Sequence, residues 1–221
     1  MPHWPIRAMA CSVFRECTMA KTVDFYFDFG SPYTYCCLNE VIGLGAAHDC
    51  TFVWHPILLW TARKHFGMTP PMEDGPKAAY IRKDMERSAA FYGVPFTFPR
   101  TFGKSTHIAA RLFYGIRQSH PGLETDFAVM AFKAHFASGL DISDAAVLIE
   151  LCADLNIQAQ EAQTLLSAQN SKDSLIRANQ RAIELEVWGV PFFIFKGENF
   201  FGADRMPQLK WRLAQQQAGN P

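Results

Sequence analysis

The stretch Asp28-Phe29-Gly30-Ser31-Pro32-Tyr33-Thr34-Tyr35 decides how the rest of the chain is read. Just before it the residues alternate. Val23, Phe25, Phe27 and Phe29 fall on one face and Asp24, Tyr26 and Asp28 on the other, a period of two that predicts a strand. Ser31 then offers an N-cap oxygen and Pro32 the fixed φ of a first helical residue, so a helix starts there. Ser31-Pro32-Tyr33-Thr34 also has the spacing of a Cys-x-x-Cys redox motif, with a hydroxyl in place of each sulfur. A helix N-terminus presents unpaired N–H groups and favours an anion by about 0.3–1 kcal/mol, rising to ~2 in sheltered geometry. One pKa unit is about 1.4 kcal/mol. A guest thiol seated at Ser31 would therefore shift toward its thiolate, with the serine hydroxyl as a further donor. Read alone, Ser31 is better taken as a plain N-cap, since Ser-Pro helix starts are common.

Working outward, the helix runs through Tyr35, Leu38, Val41 and Ile42 and is expected to end at Gly43 and Gly45. Residues 50–55 read as a second strand cut by Pro56, so the chain opens β-α-β, with a parallel pair and a right-handed crossover. From Leu58 to Glu186 the period becomes helical. Ile81, Met85, Ser88, Ala89 and Tyr92 share one face, and further helices are predicted over 105–118, 123–138, 143–155 (with Ser143 as N-cap), 159–168 and 171–186. Strand character returns at Val190–Phe195. Lys196-Gly197-Glu198-Asn199 reads as a hairpin turn, with Phe200-Phe201 opening the partner strand. Gly202 breaks that strand and Asp204 caps a last helix striped by Leu209 and Leu213, with Pro207 in its first turn.

Composition narrows the classes. The chain has 221 residues with a formal net charge of zero, and 14% of its residues are aromatic, which suits one domain carrying a large insertion. No basic stripe is present to bind nucleic acid, and no apolar run approaches the ~18 residues of a membrane span. Residues 1–21 contain Arg7 and Arg15 but no apolar core of signal-peptide length, so they read as a flexible extension. Six cysteines (11, 17, 36, 37, 50 and 152) form no framework and no metal spacing, as expected of reduced thiols in a cytoplasmic protein. The charged fraction of 19% is low enough to leave apolar surface for a second subunit.

Two further places can carry chemistry. Pro191 inside a strand pattern marks either an edge strand or a cis bond, and a cis bond would leave the Val190 N–H and C=O free to receive an extended ligand. Asp204, at a helix start, can receive an amino group as well as cap its own helix. The histidines His55, His65, His107 and His135 are too dispersed in pattern to form a site.

YFDFGSPYTY (26–35), HFGMTPP (65–71), FYGVPFTFP (91–99), WGVPFFIF (188–195) and FFGADRM (200–206) together resemble the 2-hydroxychromene-2-carboxylate isomerases and the related kappa-class glutathione transferases. Both belong to the DsbA-like branch of the thioredoxin fold. The resemblance covers residues 22 to about 216. It implies an α/β thioredoxin-like domain over 22–57 and 187–221, interrupted by a large all-helical insertion over 58–186, in a homodimer that binds glutathione between the two parts. On this resemblance Ser31 holds the glutathione sulfur, Val190 before a cis Pro191 pairs with the cysteinyl unit, and Ala203 and Asp204 receive the γ-glutamyl end. Lys77 takes the glycine carboxylate. Tyr33, Trp60 and Met68 would line the pocket for an aromatic-derived substrate.

The chain departs from the family at Met68, where an asparagine is usual in a Gly-Asn-x-Pro-Pro loop. A thioether cannot replace an amide that both donates and accepts. Trp60 is bulkier than the residues usual at its place. The activity implied is glutathione-dependent isomerisation. A kappa-like transferase conjugating electrophiles is the alternative, and a non-catalytic binding protein is a third reading motivated by Met68. Disulfide exchange is disfavoured, since neither Ser31 nor Thr34 can form a mixed disulfide.

Overall fold

The computed structural model describes residues 21–69 and 75–215. Four strands, β1 (Lys21–Phe27), β2 (Cys50–Pro56), β3 (Phe192–Phe195) and β4 (Glu198–Phe201), form one sheet in the order β2-β1-β3-β4. β1 and β2 are parallel, as the β-α-β opening requires, while β3 runs antiparallel to both β1 and β4. The nine helices among the described residues are α1 (Pro32–His48), α2 (Leu59–His65), α3 (Pro76–Phe91), α4 (His107–Ser119), α5 (Leu123–Phe136), α6 (Ala145–Asp154), α7 (Ala159–Ser167), α8 (Gln169–Glu184) and α9 (Met206–Gln215). The chain thus has the predicted thioredoxin-like order, with α2–α8 lying between β2 and β3.

The alternation in β1 builds the core. Val23, Phe25, Phe27 and Phe29 are all fully buried. Phe25 stacks on Phe193 of β3 with ring centroids 5.0 Å apart and meets Trp54 of β2 edge-on at 5.0 Å. Phe27 and Phe29 continue the column into the helices, at 5.6 Å and 5.2 Å from Phe132 of α5. Each buried phenylalanine contributes about 1.5–3 kcal/mol by removal from water, so this column joins sheet and helices into one continuous core. The opposite face of β1 is less polar than its sequence suggests. Tyr26 is buried with Ile57, Val187, Val190 and Phe192 in a second cluster.

Several local expectations are corrected. β1 begins at Lys21, one residue inside the expected extension, and residues 1–20 with Cys11 and Cys17 lie outside the described residues. α1 passes through Gly43 and Gly45 and ends at Asp49, which adopts left-handed φ/ψ as the C-cap. Gly45 remains informative, because a Cβ there would stand 3.2 Å from the Cys50 carbonyl oxygen. The hairpin turn is only Lys196-Gly197, both at positive φ, so Glu198 already pairs with Phe195. Asp144, not Ser143, caps α6 by accepting from the Ala146 N–H, while Ser143 bonds to Asp141. Asp204 lies in a 3-10 turn (Ala203–Arg205) ahead of α9 and makes no side-chain cap bond. β3 is an interior strand, which rules out the edge-strand reading of Pro191; the Val190–Pro191 peptide is cis.

Candidate active site

The site begins with Asp28, the residue after β1. Its Oδ1 accepts hydrogen bonds from the Gly30 N–H (2.8 Å) and the Thr106 hydroxyl (2.7 Å), and its Oδ2 from the Leu59 N–H (2.8 Å). One carboxylate therefore holds together the loop before α1, the start of α2 and the N-cap of α4. Burial pushes the Asp28 carboxyl above the usual carboxylate range, against the downward pull of these three donors. The Asp28 carbonyl also accepts from the Ser31 N–H at 2.9 Å, closing a turn that delivers Ser31 to the head of α1.

Ser31 is the N-cap of α1, with extended φ/ψ and only 8% exposure. Its Oγ accepts from the Thr34 N–H at 3.2 Å. That bond uses a lone pair and leaves the hydroxyl proton uncommitted to any acceptor among the described residues. Pro32 brings no N–H, so Tyr33 carries an open first-turn donor. The Tyr33 hydroxyl is occupied. It donates to Asp84 Oδ2 at 2.8 Å, and Arg87 bonds the other oxygen of that carboxylate. Burial and the Asp84 charge push the Tyr33 phenol up, so it stays a fixed donor and presents its ring. Asp84 is held below its ordinary value, partial burial being outweighed by bonds from Arg87 and Tyr33.

Ser31 opens into a cleft of about 520 Å³, within the range of small-molecule sites. Tyr33, Leu59, Trp60, Ile81, Met85, Phe102 and Phe201 give it apolar walls, and Arg63, Lys104 and Thr106 supply polar groups. Val190 forms part of the wall beside Gly189, whose missing Cβ is essential: a carbon there would meet the Phe201 ring at 2.3 Å. Among the described residues neither the N–H nor the C=O of Val190 is hydrogen-bonded. The Pro191 carbonyl accepts from the Gly202 N–H at 2.9 Å, which sets 190–191 beside 202–204.

Of the residues singled out from sequence, the structure brings Ser31, Tyr33, Trp60 and Val190 into the cleft wall, with Pro191 directly behind. Trp60 is 52% exposed and stands at the mouth. Ala203 is buried, with its carbonyl taken by the Tyr92 hydroxyl at 2.8 Å. Asp204 is exposed, 3.6 Å from Arg205, and folds back over Gly202. Lys77 is exposed in the first turn of α3 and outside the wall, though Ile81 and Met85, four and eight residues on, lie in it. Met68 is half-buried just beyond α2, donates its N–H to the Arg63 carbonyl at 2.9 Å, and does not line the cleft. Pro70 and Pro71 of its loop lie outside the described residues.

Nothing in the sequence marks Arg63 or Thr106 as a site residue, and Asp28 stands out there only as one position of a strand face. Arg63 falls one turn beyond Leu59 on α2, a spacing that would have placed both on one side. Its Nη2 donates to the Thr69 carbonyl at 2.6 Å, and its Nε is out of solvent contact without a partner among the described residues. Lys104, by contrast, is paired with Asp141 at 2.9 Å. Arg63 thus faces the cleft with no carboxylate partner among the described residues.

The thiols nearest Ser31 are buried and shifted away from the thiolate. Cys36 is buried and its thiol pushed up to about 12, by burial first and then by Asp84. Cys37 is buried further, its thiol raised by burial, and lies 3.4 Å from the Thr34 carbonyl. Among the described residues no group of three or more His, Cys, Asp or Glu side chains is placed to hold a metal ion.

A strand-to-helix seat without cysteine, a cis proline facing it and helices between the two sheet halves define a thioredoxin-type chain. It belongs to the DSBA-like thioredoxin domain family, whose pattern matches residues 22–214. More particularly, it is similar to the 2-hydroxychromene-2-carboxylate isomerase of Sphingobium xenophagum, with 29% identity over 195 residues, 87% of this chain and 97% of that protein. Glutathione S-transferase kappa 2 of Caenorhabditis elegans is 24% identical over 210 residues, 88% of this chain and 92% of that one. A solved structure of 2-hydroxychromene-2-carboxylate isomerase aligns with a TM-score of 0.79 at 25% identity, covering 90% of this chain and 98% of its own. No helix among the described residues is long and apolar enough to cross a membrane.

Proposed function

We propose that the protein is a glutathione-dependent isomerase of the 2-hydroxychromene-2-carboxylate isomerase type, acting on an arene-derived cyclic hemiketal or the corresponding unsaturated keto acid. The observation that carries this reading is Ser31: a sheltered N-cap whose hydroxyl proton is uncommitted, at the head of a helix and at the wall of an apolar cleft. Glutathione fits these residues. Ser31 and the open Tyr33 N–H offer donors to a thiolate, Val190 offers an unpaired N–H and C=O to a peptide, and Asp204 offers an exposed carboxylate to an amino group. Bound there, glutathione would supply the nucleophilic sulfur that adds to the conjugated system and later leaves it.

The chain's own part is electrostatic and positional. Ser31 donates to the sulfur whenever it carries charge, which favours both the start and the end of the cycle. The aromatic wall of Tyr33, Trp60, Phe102 and Phe201 accepts a flat substrate. Arg63 is the cation available for the substrate carboxylate, since Lys104 is already paired. The similarity to isomerases over nearly the whole chain supports the same reading.

A kappa-like transferase is the second reading, favoured by the similarity to the nematode protein. Thiol accounting separates the two: isomerisation of an arylidene pyruvate leaves total glutathione constant, while conjugation depletes it. Calorimetric titration tests the common premise. Absence of glutathione binding at millimolar concentration would overturn both readings and leave a binding scaffold. The departure at Met68 is a weaker argument for that scaffold than the sequence suggested, because its side chain is not part of the cleft wall.

A further inference from the structure

A second cavity of about 250 Å³ lies on the other side of α2, between α4 and α8. It shares only Leu58 and Thr61 with the catalytic cleft. Its apolar lining is Leu58, Leu175, Ile176 and Ile183, with Ile176 left 53% exposed. Its charged groups have one sign. Arg111 and Lys172 line it and no aspartate or glutamate does.

Neither cation is spoken for. Among the described residues Arg111 and Lys172 make no ion pair and no side-chain hydrogen bond, and the Arg111 Nε is out of solvent contact without a partner. The other arginines of α4 and α8 are engaged: Arg117 bonds Glu124 and the Trp54 carbonyl, Arg177 bonds the Ser174 hydroxyl, and Arg181 bonds Glu184. A buried donor with no acceptor is costly, and a guanidinium half withdrawn from water is satisfied best by an anion. Thr61, His107, Asn179 and Gln180 complete the polar side, with the His107 Nδ1 3.1 Å from the Ser105 hydroxyl.

We propose that this cavity is a binding site for a small organic acid, one carboxylate on a compact apolar body. Arg111 and Lys172 take the carboxylate, and Leu58, Leu175, Ile176 and Ile183 cover the body. The volume is below that of drug-sized pockets, which limits the occupant to a small molecule. The site is distinct from the glutathione seat and does not depend on what the main cleft does. It is mechanically next to that cleft: the Leu58 N–H is held by Asn179 at 2.9 Å on the cavity side, and the next amide, Leu59, is held by Asp28 on the cleft side.

Sodium benzoate is the probe. Titrated calorimetrically into the full chain, it binds at millimolar concentration or better. Benzyl alcohol, with the same apolar body and no charge, binds at least about tenfold more weakly, as does benzoate to the Arg111→Met/Lys172→Met chain; tenfold corresponds to about 1.4 kcal/mol. The single Lys172→Met chain, altered at a half-buried side chain that bonds to nothing among the described residues, shows a smaller loss in the same direction and guards against misfolding of the double variant. Saturating glutathione leaves the benzoate affinity unchanged. Four outcomes overturn the proposal: no binding to the unaltered chain, equal binding to all three chains, equal binding of benzoate and benzyl alcohol, or displacement by glutathione.

Discussion

The Thr106 hydroxyl donates to Asp28 Oδ1 at 2.7 Å, joining residues 78 positions apart in the chain. Thr106 is the N-cap residue of α4, and Asp28 leads into the turn that presents Ser31. The helices between β2 and β3 therefore do more than cover the sheet. Through this bond and the Leu59 N–H they fix the peptide units that aim the head of α1 into the cleft.

Asp28→Asn tests that arrangement. An amide keeps one acceptor oxygen and turns an NH2 toward the remaining donor, so one buried N–H or O–H loses its partner, at about 1–3 kcal/mol. The pH dependence has a definite sign. Burial raises the Asp28 carboxyl in the folded chain, so the folded state holds its proton to higher pH than the unfolded state does. This group's contribution is then greatest below the ordinary carboxylate value of about 4 and falls as pH rises through the folded value. Urea unfolding of both chains from pH 4 to pH 8 should show the unaltered chain losing stability relative to Asp28→Asn. A relative gain over that window would mean the three donated bonds outweigh burial.

Ser31→Ala removes the free hydroxyl donor and the cap acceptor together. A hydrogen bond to a charged sulfur is worth about 1.5–3 kcal/mol, so turnover should fall by roughly ten- to a hundredfold. Loss of the Thr34 cap should lower stability by about 1 kcal/mol. Because the hydroxyl favours the thiolate, the loss should be larger at low pH, where thiolate is scarce, than at high pH. Turnover profiles with glutathione saturating check this, and a pH-independent loss would sink the account.

The buried thiols give a negative test. With the Cys36 thiol raised to about 12, only about one molecule in ten thousand is thiolate at pH 8. In a chain carrying Cys11→Ser and Cys17→Ser, iodoacetamide should leave Cys36, Cys37, Cys50 and Cys152 unmodified in the native state and label all four after unfolding. Rapid native labelling of Cys36 would reopen a disulfide-exchange role, as would insulin reduction that depends on it.

The fold was legible because its signals are local. The alternation of residues 23–29, the Ser31-Pro32 start and the break at Gly202 each act within a few residues, and together they impose the order of strands and helices. What misread was decided at a distance. Gly43 and Gly45 looked like a helix end, yet α1 continues because Leu44 packs into the core and Gly45 passes close to Cys50. The place of the candidate site was legible where it is backbone-defined, at Ser31 and Val190–Pro191. It was illegible at Arg63 and Thr106, whose importance depends on which side of α2 and which end of α4 faces the turn after β1. No periodicity states that.

Arg63 leads to the last prediction. Among the described residues it is the cation of the cleft wall without a carboxylate partner, and its Nε is buried with no partner there. If it receives the acceptor's carboxylate, Arg63→Met should raise KM for an arylidene pyruvate roughly ten- to a hundredfold, the range for a bond to a charged group. The methyl ester of the same substrate, which offers no charge, should change little between the two chains. That control matters because Arg63 also bonds the Thr69 carbonyl, and a disturbed loop would affect acid and ester alike. Arg63→Lys should recover only part of the acid preference, since an ammonium lacks the planar fork that meets both carboxylate oxygens. Glutathione affinity by calorimetry separates the two anions in play. An unchanged value assigns Arg63 to the acceptor, and a matching loss would assign it to the glycine carboxylate of glutathione, the role that the resemblance gives to Lys77.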